Sequence, residues 1–225
     1  MRRTIRLVIT TAVLFLVAAP GIVSAQKEFE GAVTMNMNMG GMSVEVLTLA
    51  KEGKVRQEMS MMGQNVISII DATAGTGLML MPAMQSYMKM DFQALAARAG
   101  TVETPKITPV GTTETIAGHT CENYTIEVQD GTMQMCVAKD LGFYTGSLNS
   151  GRAMGGNASM QAYMDVFRQT FKDGFFPLKM TMGTDMTMTV TKIEPKPVAD
   201  EQFKLDVPAG YTEMKMPGRG PGGSR

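Results

Sequence analysis

The stretch TMNMNMGGM, Thr34 to Met42, places methionine at every second position, with Thr34, Asn36 and Asn38 between Met35, Met37 and Met39. Strict alternation is the mark of a strand with one apolar face, because successive side chains leave a strand on opposite sides. Gly40-Gly41 then supplies the two residues of a tight hairpin turn. The reading that follows from this stretch is a sheet whose buried face is lined with thioethers.

The same pattern continues outward. Short alternating runs at about 28–39, 42–50, 54–61, 65–71, 76–81 and 85–90 are separated by Gly40-Gly41, Glu52-Gly53, Met62-Gly63, 73–75 and Pro82-Ala83. Breaks of this length join consecutive antiparallel strands, so the segment predicts a meander. Asp91 is placed to cap a short helix over 91–99, with Phe92, Leu95, Ala96 and Ala99 on one side and Gly100 to end it. A looser segment containing Pro105 and Pro109 follows. Strands resume at 119–128 and 132–138 around Gln129-Asp130-Gly131, with Gly131 suited to the left-handed position of a three-residue turn.

The Gly-, Ser- and Asn-rich run 146–157 reads as a loop. Beyond it, Met160, Tyr163, Met164, Phe167 and Phe171 recur at helical spacing over 158–173, opposite Gln161, Asp165, Arg168 and Lys172. That apolar stripe requires a partner surface. Two more strands are expected at 175–182 and 185–194, the second with Met186, Met188 and Val190 on one face.

Composition sets the class. Arg2, Arg3 and Arg6 precede an apolar run from Leu7 to Ala19, and Val23-Ser24-Ala25 forms a small-residue cleavage pattern before Gln26. Residues 1–25 therefore read as a secretory signal peptide cut between Ala25 and Gln26, with a single domain over 26–216 and a disordered tail over 217–225. No cysteine stands at the cut to carry a lipid, and no later run is long and apolar enough to span a bilayer, so the expected location is the periplasm or the medium. Loss of the three leader arginines leaves 18 basic against 21 acidic residues, and no basic run is available for nucleic acid. Tryptophan is absent while methionine numbers 24, so thioethers stand where aromatic packing would be expected.

Three readings of the methionines remain open. An unbranched, polarizable side chain adapts to apolar guests of varied shape, which favours a ligand-lining role for Met35, Met37, Met39, Met186, Met188, Met160, Met164 and Phe167. The plainer reading is that the same residues fill a core. A third is Cu(I) binding through thioether sulfur, weakened by the ~6.5–7 Å between side chains two apart on one strand.

Cys121 and Cys136 are the only cysteines, and export makes a disulfide the first expectation. A three-residue turn at 129–131 works against it by setting Cys136 opposite Tyr124 and Cys121 opposite Lys139, on different faces; two buried thiols are the alternative. His119 is the only histidine and lacks a nucleophile pattern, while Glu114, Glu122, Asp130 and Asp140 are scattered at turns and strand ends. No enzyme signature or cofactor motif emerges.

Several stretches carry a family resemblance: EFEGAVTM, GKVRQEM, TIAGHTCENYTIE leading into MQMCVAKDLGF, and KIEPKPVADEQFKLDVPAGY. Together they resemble the exported bacterial proteins grouped as domain of unknown function number 4412. The resemblance implies a fold similar to the outer-membrane lipoprotein carrier LolA, a curved antiparallel half-barrel closed by helices, and no assigned reaction. The Met-rich face beneath helices 91–99 and 158–173 sets the expected function, an exported carrier or binding protein for a lipid or acyl chain, with a packed structural or interaction protein and Cu(I) binding as the alternatives.

Overall fold

The computed structural model describes residues 27–61, 63–94, 104–128, 131–146, 159–183 and 186–214. The expected leader and its cut between Ala25 and Gln26, the expected tail, the bulk of the 146–157 loop and the helix expected over 91–99 beyond residue 94 lie outside them. Twelve strands form one open, curved sheet in the order β12-β6-β5-β4-β3-β2-β1-β11-β10-β9-β8-β7. The strands are β1 (Gly31–Met39), β2 (Met42–Lys51), β3 (Lys54–Met61), β4 (Gln64–Asp71), β5 (Thr76–Met81), β6 (Ser86–Asp91), β7 (Lys106–Ile116), β8 (His119–Val128), β9 (Gly131–Ala138), β10 (Phe176–Met182), β11 (Met186–Pro195) and β12 (Thr212–Glu213). Helix α1 (Ser159–Thr170) joins them, and residues 92–94 are also helical.

The meander β1 to β6 follows the alternation and turn residues closely. Gly40 and Gly41 take φ of 57° and 87°, the left-handed pair that a two-residue hairpin demands, and Met39 faces Met42 across the closed turn. β11 then returns beside β1, so the first and last long strands close the middle of the sheet antiparallel. Asp91 caps as expected, its Oδ1 accepting the Ala94 N–H at 2.9 Å.

β7 corrects the looser segment read around Pro105 and Pro109. It is an edge strand whose residues are mostly exposed on both faces, so it carries no apolar alternation to betray it. Pro109 stands where the pairing with β8 shifts between Pro109 and Thr113, and an edge or a bulge is where a strand tolerates proline. At the other edge, β12 runs parallel to β6 through the Thr212 and Met214 N–H groups.

The cysteine hairpin is corrected by one residue. Pairing runs to Val128 opposite Gly131, which leaves two residues between the strands, and Cys136 lies opposite Asn123 rather than Tyr124. A shift of one position exchanges the faces of a strand. Cys121 and Cys136 thus share the outer face and form a disulfide, with Cα atoms 5.3 Å apart. Above the same strands the Glu114 carboxylate on β7 meets Lys179 on β10 at 3.0 Å.

The curved sheet has apolar packing on both sides. Val33, Met35, Met37, Val44, Val46, Tyr124, Ile126, Met135 and Met188 belong to the main core on its inner side. A smaller cluster of Ile69, Val198 and Phe203 covers β2 to β4 outside, with Leu49 and Ile67 packed against it. The KIEPKPVADEQF stretch supplies that cover, held by Lys51, whose Nζ donates to the Val198 carbonyl at 3.0 Å and meets Asp200 at 2.9 Å.

The disulfide closes a segment of 15 residues, and a loop of that size limits the unfolded chain by about 3 kcal/mol. Replacing both cysteines by alanine is expected to lower the unfolding free energy by about 2–4 kcal/mol in urea titrations, with the circular dichroism of the folded state unchanged.

Candidate functional site

The inner face is organised by register. Across five neighbouring strands, Met42, Met39, Met186, Met182 and Met133 stand opposite one another in turn. One step deeper, Val44, Met37, Met188, Met180 and Met135 form the parallel row. Alternation in β1 and β11 places each methionine on this side, but only the strand order brings the rows into line.

The two rows differ in access to water. Met37, Met188, Met180 and Met135 are buried, at no more than 6% exposure. In the rim row Met133 is buried and Met39 and Met186 are half-buried, whereas Met42 and Met182 are each 46% exposed. The sulfur-lined surface therefore runs from solvent into the interior.

Helix α1 contributes to the same core. Met164 and Phe167, with Phe171 just beyond the helix, are buried there, while Asp165, Arg168 and Gln169 face solvent. Phe171 meets Tyr124 edge-on with ring centroids 4.9 Å apart, and Phe167 stacks on Phe175 at 4.9 Å. Arg168 fixes the outer side: its guanidinium lies 3.9 Å from the Phe143 ring centroid and meets Glu28 at 2.8 Å. Met35, Met37, Met188, Met164 and Phe167 are thus brought together, with Met39 and Met186 at their margin. The Met160 side chain lies outside the described residues.

A polar stripe interrupts the inner face and was missed in the sequence. Thr48, Gln57 and Ser68 stand opposite one another on β2, β3 and β4, and all three are at most 1% exposed. Gln57 Nε2 donates to the Gly146 carbonyl at 3.0 Å and to Thr48 Oγ1 at 3.4 Å. Beside them stands Tyr144, its ring stacked on Phe176 at 4.5 Å. Burial pushes its phenol far above the ordinary value, opposed only by a weak interaction with the Thr48 hydroxyl that falls short of hydrogen-bond geometry. Among the described residues the Ser68 and Tyr144 hydroxyls are buried without a hydrogen-bond partner, a state that costs about 1–3 kcal/mol each. Each polar residue sits at a position where alternation alone predicts an apolar side chain, and that break in pattern was the available signal.

Several other ionisable residues form pairs that reach solvent. His119 Nδ1 lies 2.8 Å from Asp140 at the end of the cysteine hairpin. Glu122 accepts from Lys139 at 2.8 Å and from the Tyr124 hydroxyl at 2.6 Å. The Lys139 bond, helped by Tyr124, holds the Glu122 carboxyl below the ordinary carboxylate value, while burial and then Glu122 raise the Tyr124 phenol. Lys179 lowers Glu114 in the same way. A hollow of about 320 Å³ lies beside this second pair on the outer face, bordered by Thr112, Asn123 and Thr181. Among the described residues no group of three or more His, Cys, Asp and Glu side chains is placed to hold a metal, and no helix is long and apolar enough to cross a membrane.

The family model for the domain of unknown function DUF4412 matches residues 29–211. The chain belongs to that family. The match spans both halves of the sheet and ends just before β12, so the matched residues include those of the methionine rows, the polar stripe and the disulfide hairpin. No curated protein matches the chain. Among solved structures it is similar to two crystal forms of PNGF-II, with TM-scores of 0.45 and 0.44 and sequence identities of 11% and 12%. These alignments cover 83% and 84% of this chain but only 32% and 30% of the PNGF-II chains, so it spans about a third of their length.

Two outcomes follow for variants. Phe167→Ala removes a ring that is 1% exposed and is expected to cost about 3–5 kcal/mol in chemical denaturation. Glu122 is depressed in the folded state, so its contribution is complete above the unfolded carboxylate value and is lost as pH falls below it. Glu122→Gln is therefore expected to flatten the acid limb of a stability–pH profile and to lower stability at neutral pH by about 0.2–1 kcal/mol, the range for an exposed pair.

Proposed function

We propose that this chain is an exported, non-enzymatic carrier or binding protein for an amphiphile, a lipid or a fatty acyl chain, held on the inner face of the sheet. The observation that supports it is the pairing of a continuous thioether surface with buried Ser68 and Tyr144 hydroxyls that lack partners among the described residues. An acyl chain lies along Met35, Met37 and Met188 beneath Met164 and Phe167, and its polar group meets the stripe. Methionine suits this role because it reshapes around guests of varied outline. In the same reading the curved sheet is a half-barrel and α1 its helical lid, the arrangement of LolA. Export rests on the leader pattern of residues 1–25 and agrees with the disulfide.

Magnitudes set the ligand's length. Lifting α1 exposes Met164, Phe167 and Phe171, at about 1.5–3 kcal/mol each. A saturated chain gains about 0.8 kcal/mol per buried methylene, so roughly six to eleven methylenes offset the opening before ordering costs are counted. Short acids fall below that threshold.

A second reading, a structural or interaction protein with a permanently filled interior, is favoured by one observation: Met35, Met37 and Met188 are at most 1% exposed. Native mass spectrometry of the exported protein, followed by titration with fatty acids of increasing length, separates the two. The carrier reading expects a co-purifying amphiphile or uptake of long but not short chains, weakened several-fold by Ser68→Ala and Tyr144→Phe. Absence of bound lipid together with no uptake at any length selects the filled interior.

A further inference from the structure

We propose that the rim row is a thioether site for a soft monovalent cation, Cu(I), formed by Met42, Met39, Met186 and Met182; it stands independently of the amphiphile reading. The geometric objection to such a site disappears once the strand order is known. Methionines two apart on one strand start ~6.5–7 Å from each other, but directly opposed residues on neighbouring strands have Cβ atoms only about 4.5–5.5 Å apart. Met39 faces Met42 on one side and Met186 on the other, and Met186 faces Met182. Three consecutive side chains of the row, each with three rotatable bonds, can turn their sulfurs toward one ion.

Access and donor type support the assignment. Packing accounts for the deep row, where every methionine is buried, but Met42 and Met182 remain 46% exposed and gain little from burial. Half-buried Met39 and Met186 lie between them, so an ion reaches the centre of the row from water without unfolding. Behind it, Met37 and Met188 give the site a dry floor. Neutral thioethers suit Cu(I), whereas harder divalent ions prefer imidazole and carboxylate. Among the described residues no group of three or more His, Cys, Asp and Glu side chains offers such a set. The site therefore selects by softness rather than by charge.

The test is anaerobic competition for Cu(I) between the disulfide-intact protein and a chromophoric Cu(I) chelator, with ascorbate as reductant and Ag(I) as a redox-inert second probe. The expected result is one ion bound per chain. Met39→Leu combined with Met186→Leu keeps apolar bulk but removes two central sulfurs and is expected to weaken binding at least ten-fold. Met79→Leu, on β5 and away from the row, is expected to leave it unchanged. If the double variant does not fold, Met42→Leu and Met182→Leu decide, because both side chains are exposed and their loss disturbs little packing. Failure of the wild-type protein to bind either ion, or equal affinity in the leucine variants that fold, overturns the proposal. Because leucine preserves the apolar surface, fatty-acid uptake by the same variants tells failure of this site from failure of the carrier reading.

Discussion

Everything in this molecule depends on the antiparallel register between β1 and β11. It joins the amino-terminal meander to the carboxy-terminal strands, and it sets Met39 against Met186 and Met37 against Met188. The irregularity between Thr34 and Met35 skips Thr191 on β11, so Val190 and Ile193 on either side of it both pack toward the core while β1 keeps its regular alternation. Slippage by one residue there would turn the methionines of one strand into water and Asn36 and Asn38 into the core.

From that register follows a division of labour on the inner face. Beneath α1 the surface is thioether and ring, adaptable in shape and dry. Over β2 to β4 it is hydroxyl and amide, through Thr48, Gln57, Ser68 and the adjacent Tyr144. At the hairpin ends it is again sulfur but open to solvent. A buried polar stripe costs stability unless it is satisfied, and on the proposed function it is the polar half of the ligand that satisfies it. The outer face serves stability instead: the disulfide, the Glu114–Lys179 pair and the cover formed by Val198 and Phe203 all lie there.

Much of this fold was legible in the chain because alternation and turn chemistry are local. The strands β1 to β6 fall within a few residues of their expected bounds, and Tyr163 to Phe171 present the expected helical stripe. β7 was not legible, since an exposed edge strand carries neither apolar alternation nor protection from proline. The cysteine hairpin failed for a subtler reason: turn length by one residue decides which face Cys136 occupies, and Gln129-Asp130-Gly131 is compatible with either length.

The sequence by itself determined which side chains share a face within each strand, because a strand repeats every two residues whatever surrounds it. It also determined the β-rich class, the amphipathic helix and the family. That β11 lies beside β1 was decided only in three dimensions, because their pairing joins residues more than 140 positions apart and depends on how the whole sheet closes. The methionine rows are properties of that adjacency, and local periodicity carries no information about it; the polar stripe and the disulfide depend instead on the registers of hairpin-connected strands, β2 to β4 and β8 with β9.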